Sequence, residues 1–366
     1  MTKRIVFIDL MRAYAILMMV QGHLVNALLA PAYRDSEYTL YFMWNFMRGI
    51  TAPIFFFASG TIFSYLLMKQ EDHGMGMKNP RVRKGFMRTL MLLGTGYLLQ
   101  VSPGMFKFFS TGNFDYLQWF FAVHVLHVIG IAIFMMVCIY LICKKIKFST
   151  GWMFFIIGNL IFLIYPDFKQ FDWNSILPIP LSNYFSKQNM SVFTVVPWTG
   201  FSLLGGAFGF LLFKRKELYE SNLFFIGLII LGLLLSYFSG FLLFWTYRNI
   251  LPWDNLIYLG NHNFLHFRLG QVLIITGILG VIAKSVRIPG IITTIGSETL
   301  SIYVAHSIVI YGTLTTFGLA QAYGKNLGPW ECIGLALIVE VIMIVVAYYA
   351  RDFRNFVKKV FGRKDQ

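Results

Sequence analysis

Read for the order of its apolar and polar positions, the chain is a series of long apolar runs separated by short polar stretches that are mostly basic. A run of roughly 17 to 25 apolar residues is the length of helix that crosses ~30 Å of hydrocarbon at ~1.5 Å per residue. The pattern predicts about ten transmembrane helices, near 5–30, 41–68, 86–103, 117–142, 151–166, 194–213, 223–247, 266–284, 291–318 and 329–350, the fifth being short. Neither a repeat nor a low-complexity segment nor a soluble domain interrupts the series. The expected organisation is an all-α integral membrane protein, with one polytopic domain over 1–350 and a basic cytoplasmic tail over 351–366.

Composition agrees with the pattern, since 57% of residues are hydrophobic and only 13% charged. The net charge of +15 does not point to nucleic acid, because the basic residues sit in short clusters between apolar runs. Placing the amino terminus inside assigns 22 of the 31 lysines and arginines to the cytoplasmic segments. That asymmetry puts both termini and the 69–85 loop in the cytoplasm. Cys138, Cys143 and Cys332 are odd in number and lack metal-ligand spacing, so neither a disulfide framework nor a zinc site is supported. The opening segment imitates a secretory signal, but Asp9 and Arg12 interrupt its apolar region and it is kept as an uncleaved helix. The longest outer connections, "DFKQFDWNSILPIPLSNYFSKQNMS" and "RNILPWDNLIYLGNHNFLH", are either an acceptor-binding face or interfacial aromatic anchors.

The stretch "IDLMRAYAILMMVQGH" places three ionisable groups inside the first expected span, where each is costly. On a helix Arg12 and His23 differ by ~20° in azimuth and ~16 Å in height, and Asp9 lies one turn below Arg12. Such a stripe lines either a polar cavity or a helix interface. Arg48, near Trp44 and Asn45, needs an anion or a pocket of carbonyls, or else snorkels to the interface. Ser59 and Gly60 read as a close helix contact, with no base nearby to make Ser59 a nucleophile. His124 and His127, at i and i+3, are an acid/base pair, part of an acceptor site, or helix–helix contacts. His262 and His266 stand one turn apart with Arg268 if "NHNFLHFRLG" begins the eighth helix. Glu298 and His306 fall in the ninth span, and Glu340 lies mid-membrane, where it must be protonated or paired.

Three stretches, "RIVFIDLMRAYAILMMVQGHLVNALL", "RGITAPIFFFASGTIFSYLL" and "HVLHVIGIAIFMM", resemble the catalytic membrane domain of the heparan-α-glucosaminide N-acetyltransferase family and its bacterial relatives. The Arg12-to-His23 spacing, "FFFASG" and "ETLSIYVAHSIVIYG" are similar to the wider group of transmembrane acyltransferases that O-acylate surface glycans. The resemblance implies an acyl group taken from cytosolic acyl-CoA, acetyl-CoA being the expected donor, and delivered to a hydroxyl or amine of a sugar beyond the membrane. It implies Arg12 as a donor-binding residue, His23 as a catalytic residue and His306 as a family-typical position at the core cavity, an acceptor contact. The residues themselves add Asp9 as the catalytic neighbour of the stripe, Arg48 as a donor-binding residue, and His124, His127 and His262 as acceptor contacts. An imidazole suits the catalytic position because it titrates near neutral pH and is itself nucleophilic. The chain departs from the animal acetyltransferases in carrying no histidine in the loop before "MWNFMRG", so His23 is expected to supply that group. No metal and no nucleic-acid partner are expected; a lipid bilayer, most simply a bacterial inner membrane, is. A homodimer is among the open oligomeric states. The alternative function is a proton-coupled transporter or flippase, since intramembrane Asp, Glu, Arg and His also mark such pathways. A non-catalytic membrane scaffold is the third reading.

Overall fold

The computed structural model describes residues 5–70, 76–313 and 315–361. Lys3, Arg4, residues 71–75 of the 69–85 loop and residues 362–366 of the tail lie outside the described residues. Among the described residues the chain is helical, without a named strand. The principal helices are α1 (Val6–Leu28), α2 (Thr39–Met68), α3 (Pro80–Leu98), α4 (Val125–Ile146), α5 (Thr150–Leu163), α6 (Val195–Lys214), α7 (Asn222–Asn249), α8 (Asp254–Asn261), α9 (Phe264–Ser285), α10 (Gly290–Ser297), α11 (Thr299–Tyr311) and α12 (Pro329–Phe361).

Among the described residues seven helices, α1, α2, α4, α6, α7, α9 and α12, are long and apolar enough to cross a membrane, against the ten spans expected. The protein is a multi-pass membrane protein. The other three expected segments differ for identifiable reasons. In α3, Arg81, Arg83, Lys84 and Arg88 occupy the amino-terminal half. Asn79 caps that half by accepting from the Arg81 amide at 2.8 Å, with Pro80 at the first helical position. The fifth segment is a helix of 14 residues. The ninth is two helices, because the backbone leaves helical geometry at Glu298 (φ −102°, ψ 24°). The fourth begins later than expected, at Val125, with His124 as its cap.

The chain divides into two compact units, Met1–Ala52 with Ser285–Gln366 and Pro53–Lys284. The boundary falls inside α2 at Pro53, a residue that removes a backbone donor from the helix. In the second unit α2 and α6 meet backbone to backbone. A Cβ on Gly60 would stand 1.8 Å from the Ser202 carbonyl oxygen, so only glycine fits. This is the close contact expected of "FFFASG". Around it Met136, Phe154 and Leu203 form a fully buried core, and Trp198 packs between Phe56 and Phe193.

In the first unit α1 packs against α10, α11 and α12. The carboxyl end of α1 is fastened twice. Ala30 N–H donates to the Leu327 carbonyl and Leu327 N–H to the Leu28 carbonyl, both at 3.0 Å. The Arg34 guanidinium donates to the carbonyls of Val25 and Asn26 at 3.1 Å and to that of Leu29, placing a cation on the negative end of the helix dipole.

Lower on α1, Gly296 of α10 lies against Asp9, where an added Cβ would stand 2.1 Å from the Asp9 carbonyl oxygen. Backbone cannot yield as a flexible side chain can. Gly296→Ala is therefore expected to destabilise the protein by about 1–3 kcal/mol, read as a lower thermal unfolding midpoint in detergent. Gly334→Ala on α12, where an added Cβ meets nothing within 4 Å, is the control and should leave the midpoint unchanged or raise it.

Candidate functional site

The ionisable stripe of α1 faces α10 and α11, the helix interface that is one of the two alternatives for it. Asp9 is 8% exposed, and its carboxylate lies 4.0 Å from Arg12 Nη1. Arg12 Nη2 donates to Thr299 Oγ1 at 3.0 Å, at the first residue of α11. Beside it, at the α10–α11 break, Glu298 is 3% exposed and accepts the fork of Arg354 from α12. Nη1 donates to Oε2 at 3.0 Å, and Nη2 pairs with Oε1. Arg351 Nη1 donates to Thr294 Oγ1 at 2.7 Å. Two carboxylates and three guanidiniums thus meet at this end, each with a named partner. Further along α1, Gln21 Nε2 donates to Glu340 Oε1 at 2.7 Å, which gives that carboxyl a neutral amide as a partner.

At the other end of the stripe His23 Nδ1 lies 3.0 Å from the Tyr311 hydroxyl. Its ring meets His306 edge to face, with centroids 5.1 Å apart at 88°. His306 is fully buried. Its Nδ1 stands 3.0 Å from the Ile302 carbonyl oxygen, which can only accept. The ring proton therefore sits on Nδ1, and the lone pair of Nε2 has no hydrogen-bond partner. A buried acceptor in that condition is uncommon in native structures.

Arg48, from the part of α2 in this unit, lies along the same end of α1. Its stem covers Gly22, where an added Cβ would stand 3.1 Å from Cδ. Nη1 donates to Asn26 Oδ1 at 2.5 Å, and the guanidinium sits 5.4 Å from the Trp44 ring. Asp9, Arg12, His23, Arg48 and His306 therefore share one unit.

The other sequence-predicted residues belong to the second unit. His124 caps α4, and its backbone N–H donates to His127 Nδ1 at 3.1 Å. His127 is fully buried against Gly96, with the Tyr97 ring 4.5 Å away. This is a capping and packing arrangement, as in the helix-contact alternative among the three weighed. His262 terminates α8, where its N–H donates to the Tyr258 carbonyl at 2.9 Å and its ring stacks on Tyr258. α9 begins only at Phe264, so His262 and His266 do not share a helix as the spacing suggested. Among the described residues no three His, Cys, Asp or Glu could hold a metal ion.

Tyr311, Asn26 and Thr299 escaped the sequence reading. The first was visible as a polar-tipped aromatic at the end of "ETLSIYVAHSIVIY", five residues after His306, a spacing that a straight-helix projection puts on another face.

A family model described as the catalytic part of heparan-alpha-glucosaminide N-acetyltransferase matches residues 4–240. No curated protein matches the chain. The α1 half of the site lies inside the matched range, and the α11 half, with Thr299, His306 and Tyr311, lies beyond it.

Proposed function

Because the chain belongs to the heparan-alpha-glucosaminide N-acetyltransferase catalytic family, we propose that this membrane acyltransferase moves an acetyl group from cytosolic acetyl-CoA to a hydroxyl or amine of a sugar at the outer face. The observation that carries the reading is the alignment of Arg12 and His23 along α1, with His23 held by Tyr311 and flanked by His306. The residues fit a thioester donor. A cation stands at one end of the stripe for a phosphate-bearing arm, an imidazole at the other, and the ~16 Å between them is compatible with an extended pantetheine chain.

His23 is the general base of the proposed reaction. Its Nδ1 lies 3.0 Å from the Tyr311 hydroxyl, and in the tautomer with the proton on Nδ1 the basic lone pair is on Nε2. That nitrogen takes the proton of the acceptor as the acceptor's oxygen or nitrogen bonds to the acyl carbon. The proton then passes to the departing thiolate as the carbon–sulfur bond breaks. Tyr311 fixes the orientation of the ring. Arg48, beside Asn26, is suited to a developing oxyanion or an acceptor hydroxyl. Arg12 orients the donor's arm from its station on Asp9 and Thr299.

The topology follows from the same reading. With α3, α5 and the α10–α11 pair counted as crossings, the seven long helices become ten spans. The basic clusters then fall on the cytoplasmic side with both termini, in a bacterial inner membrane.

Membranes containing the protein, incubated with acetyl-labelled acetyl-CoA, should transfer label to a sugar or glycan fraction. If label stays on the donor while an unmodified solute or lipid crosses the bilayer, the transporter reading replaces this one.

A further inference from the structure

The second unit holds a basic cleft that the acyl-transfer reading does not use. It is open, has a volume of about 470 Å³, and lies where α4 ends, α5 begins and α6 ends. Lys144, Lys147 and Lys214 line it, with Ser149, Thr150 and the Phe210 ring as its other walls. The volume falls in the ~300–1,000 Å³ range of small-molecule clefts.

Three features give the cleft its chemistry. First, its charged lining side chains are all cationic. Aromatic faces hold two of them in place, with Lys144 Nζ 5.8 Å from the Tyr140 ring centroid and Lys214 Nζ 5.7 Å from that of Phe210. Second, Lys147 closes α4 in the left-handed region, at φ 57° and ψ 34°. The Phe148 N–H donates back to the Cys143 carbonyl at 3.0 Å, in the capping pattern that ordinarily takes glycine. A lysine held there accepts backbone strain and keeps its ammonium beside the cleft. Third, Ser149 Oγ caps α5 by accepting from the Trp152 N–H, which leaves the N–H groups of Thr150 and Gly151 as those of the first turn without an acceptor within the helix. Phe210 closes directly over Gly151, where a Cβ would stand 2.3 Å from its ring.

We infer that this cleft is a phosphate-binding site, which takes the phosphate of an anionic lipid headgroup or of a soluble phosphorylated molecule. Cationic side chains, hydroxyls and amides are the donors that recognise phosphate oxygens, and an aromatic wall gives the rest of the ligand an apolar rest.

The test uses the full-length protein in neutral phosphatidylcholine nanodiscs, read by thermal unfolding. Dihexanoyl-phosphatidylglycerol is titrated in one arm and adenosine 3′,5′-bisphosphate in the other, with dihexanoyl-phosphatidylcholine as the blank. At least one phosphorylated probe should raise the midpoint saturably, and the arm that responds identifies the source. Lys147→Gly, which suits the left-handed position, should fold as well as the wild type or better and require about tenfold more probe, as should Lys214→Ala. A wild type that responds to neither probe beyond the blank, or variants that respond at the wild-type concentration, would overturn the inference.

Discussion

His23→Ala is expected to lower turnover by about a hundredfold or more while leaving acyl-CoA binding nearly intact, because it removes a positioned base and no contact to the carrier. Arg12→Ala should fail in the other way. In the proposed reaction it withdraws a charge-assisted contact from the donor, and donor binding should weaken by about 1.5–3 kcal/mol. Tyr311→Phe supplies the intermediate case. The imidazole remains, but Nδ1 loses its 3.0 Å hydroxyl partner, so the rate should fall without a change in donor affinity. Single-turnover rates, with donor affinity measured separately, separate the three. A well-folded His23→Ala protein that transfers acetyl at the wild-type rate would remove His23 from the mechanism and direct attention to His306.

Loss of the Glu298–Arg354 fork should produce the largest change in stability, and an asymmetric one. The Glu298 side chain is 2% exposed and that of Arg354 47%. Arg354→Ala therefore leaves a buried carboxylate without its counterion, while Glu298→Gln leaves a guanidinium that can turn to water. Breaking a buried pair from the exposed side costs about 3 kcal/mol, near the lower end of the range for such pairs because water can reach the vacated space. The glutamine variant should cost markedly less. Unfolding midpoints of the two variants in the same detergent decide it, and equal losses would mean that burial of Glu298 is not what makes the pair matter.

Much of this architecture is legible in run length alone, because a helix in lipid must be long and apolar. The Asp9, Arg12 and His23 stripe is legible for a related reason: helical periodicity converts sequence spacing into a face, and ionisable groups on one face need a polar partner. What run length conceals is a break within an apolar stretch. The run over 291–318 continues through Glu298, yet the backbone turns there to present the carboxylate to Arg354. Run length also conceals partners that arrive from far along the chain. Tyr311 and His23 are 288 residues apart, and no local pattern pairs them. The histidines of the second unit misled in another way. Spacings of three and four residues imply a shared helix, but His124 precedes α4 and His262 ends α8, where a polar ring completes backbone hydrogen bonds that the helix end leaves open.

The distance between Arg12 and Thr299, 287 residues apart in sequence, also has a meaning in time. A ribosome adding roughly 5–20 residues per second makes α1 on the order of 15–60 s before it makes α11. Through that interval the translocon and the lipid receive a helix whose ionisable side chains have none of their α11 partners. The Asp9–Arg12 pair, three residues apart on one helix, forms as soon as that helix does, and each charge offsets the other during insertion. Biogenesis and the finished site thus draw on the same pair, and a substitution of Asp9 will show first as protein missing from the membrane, before any effect on the reaction can be measured.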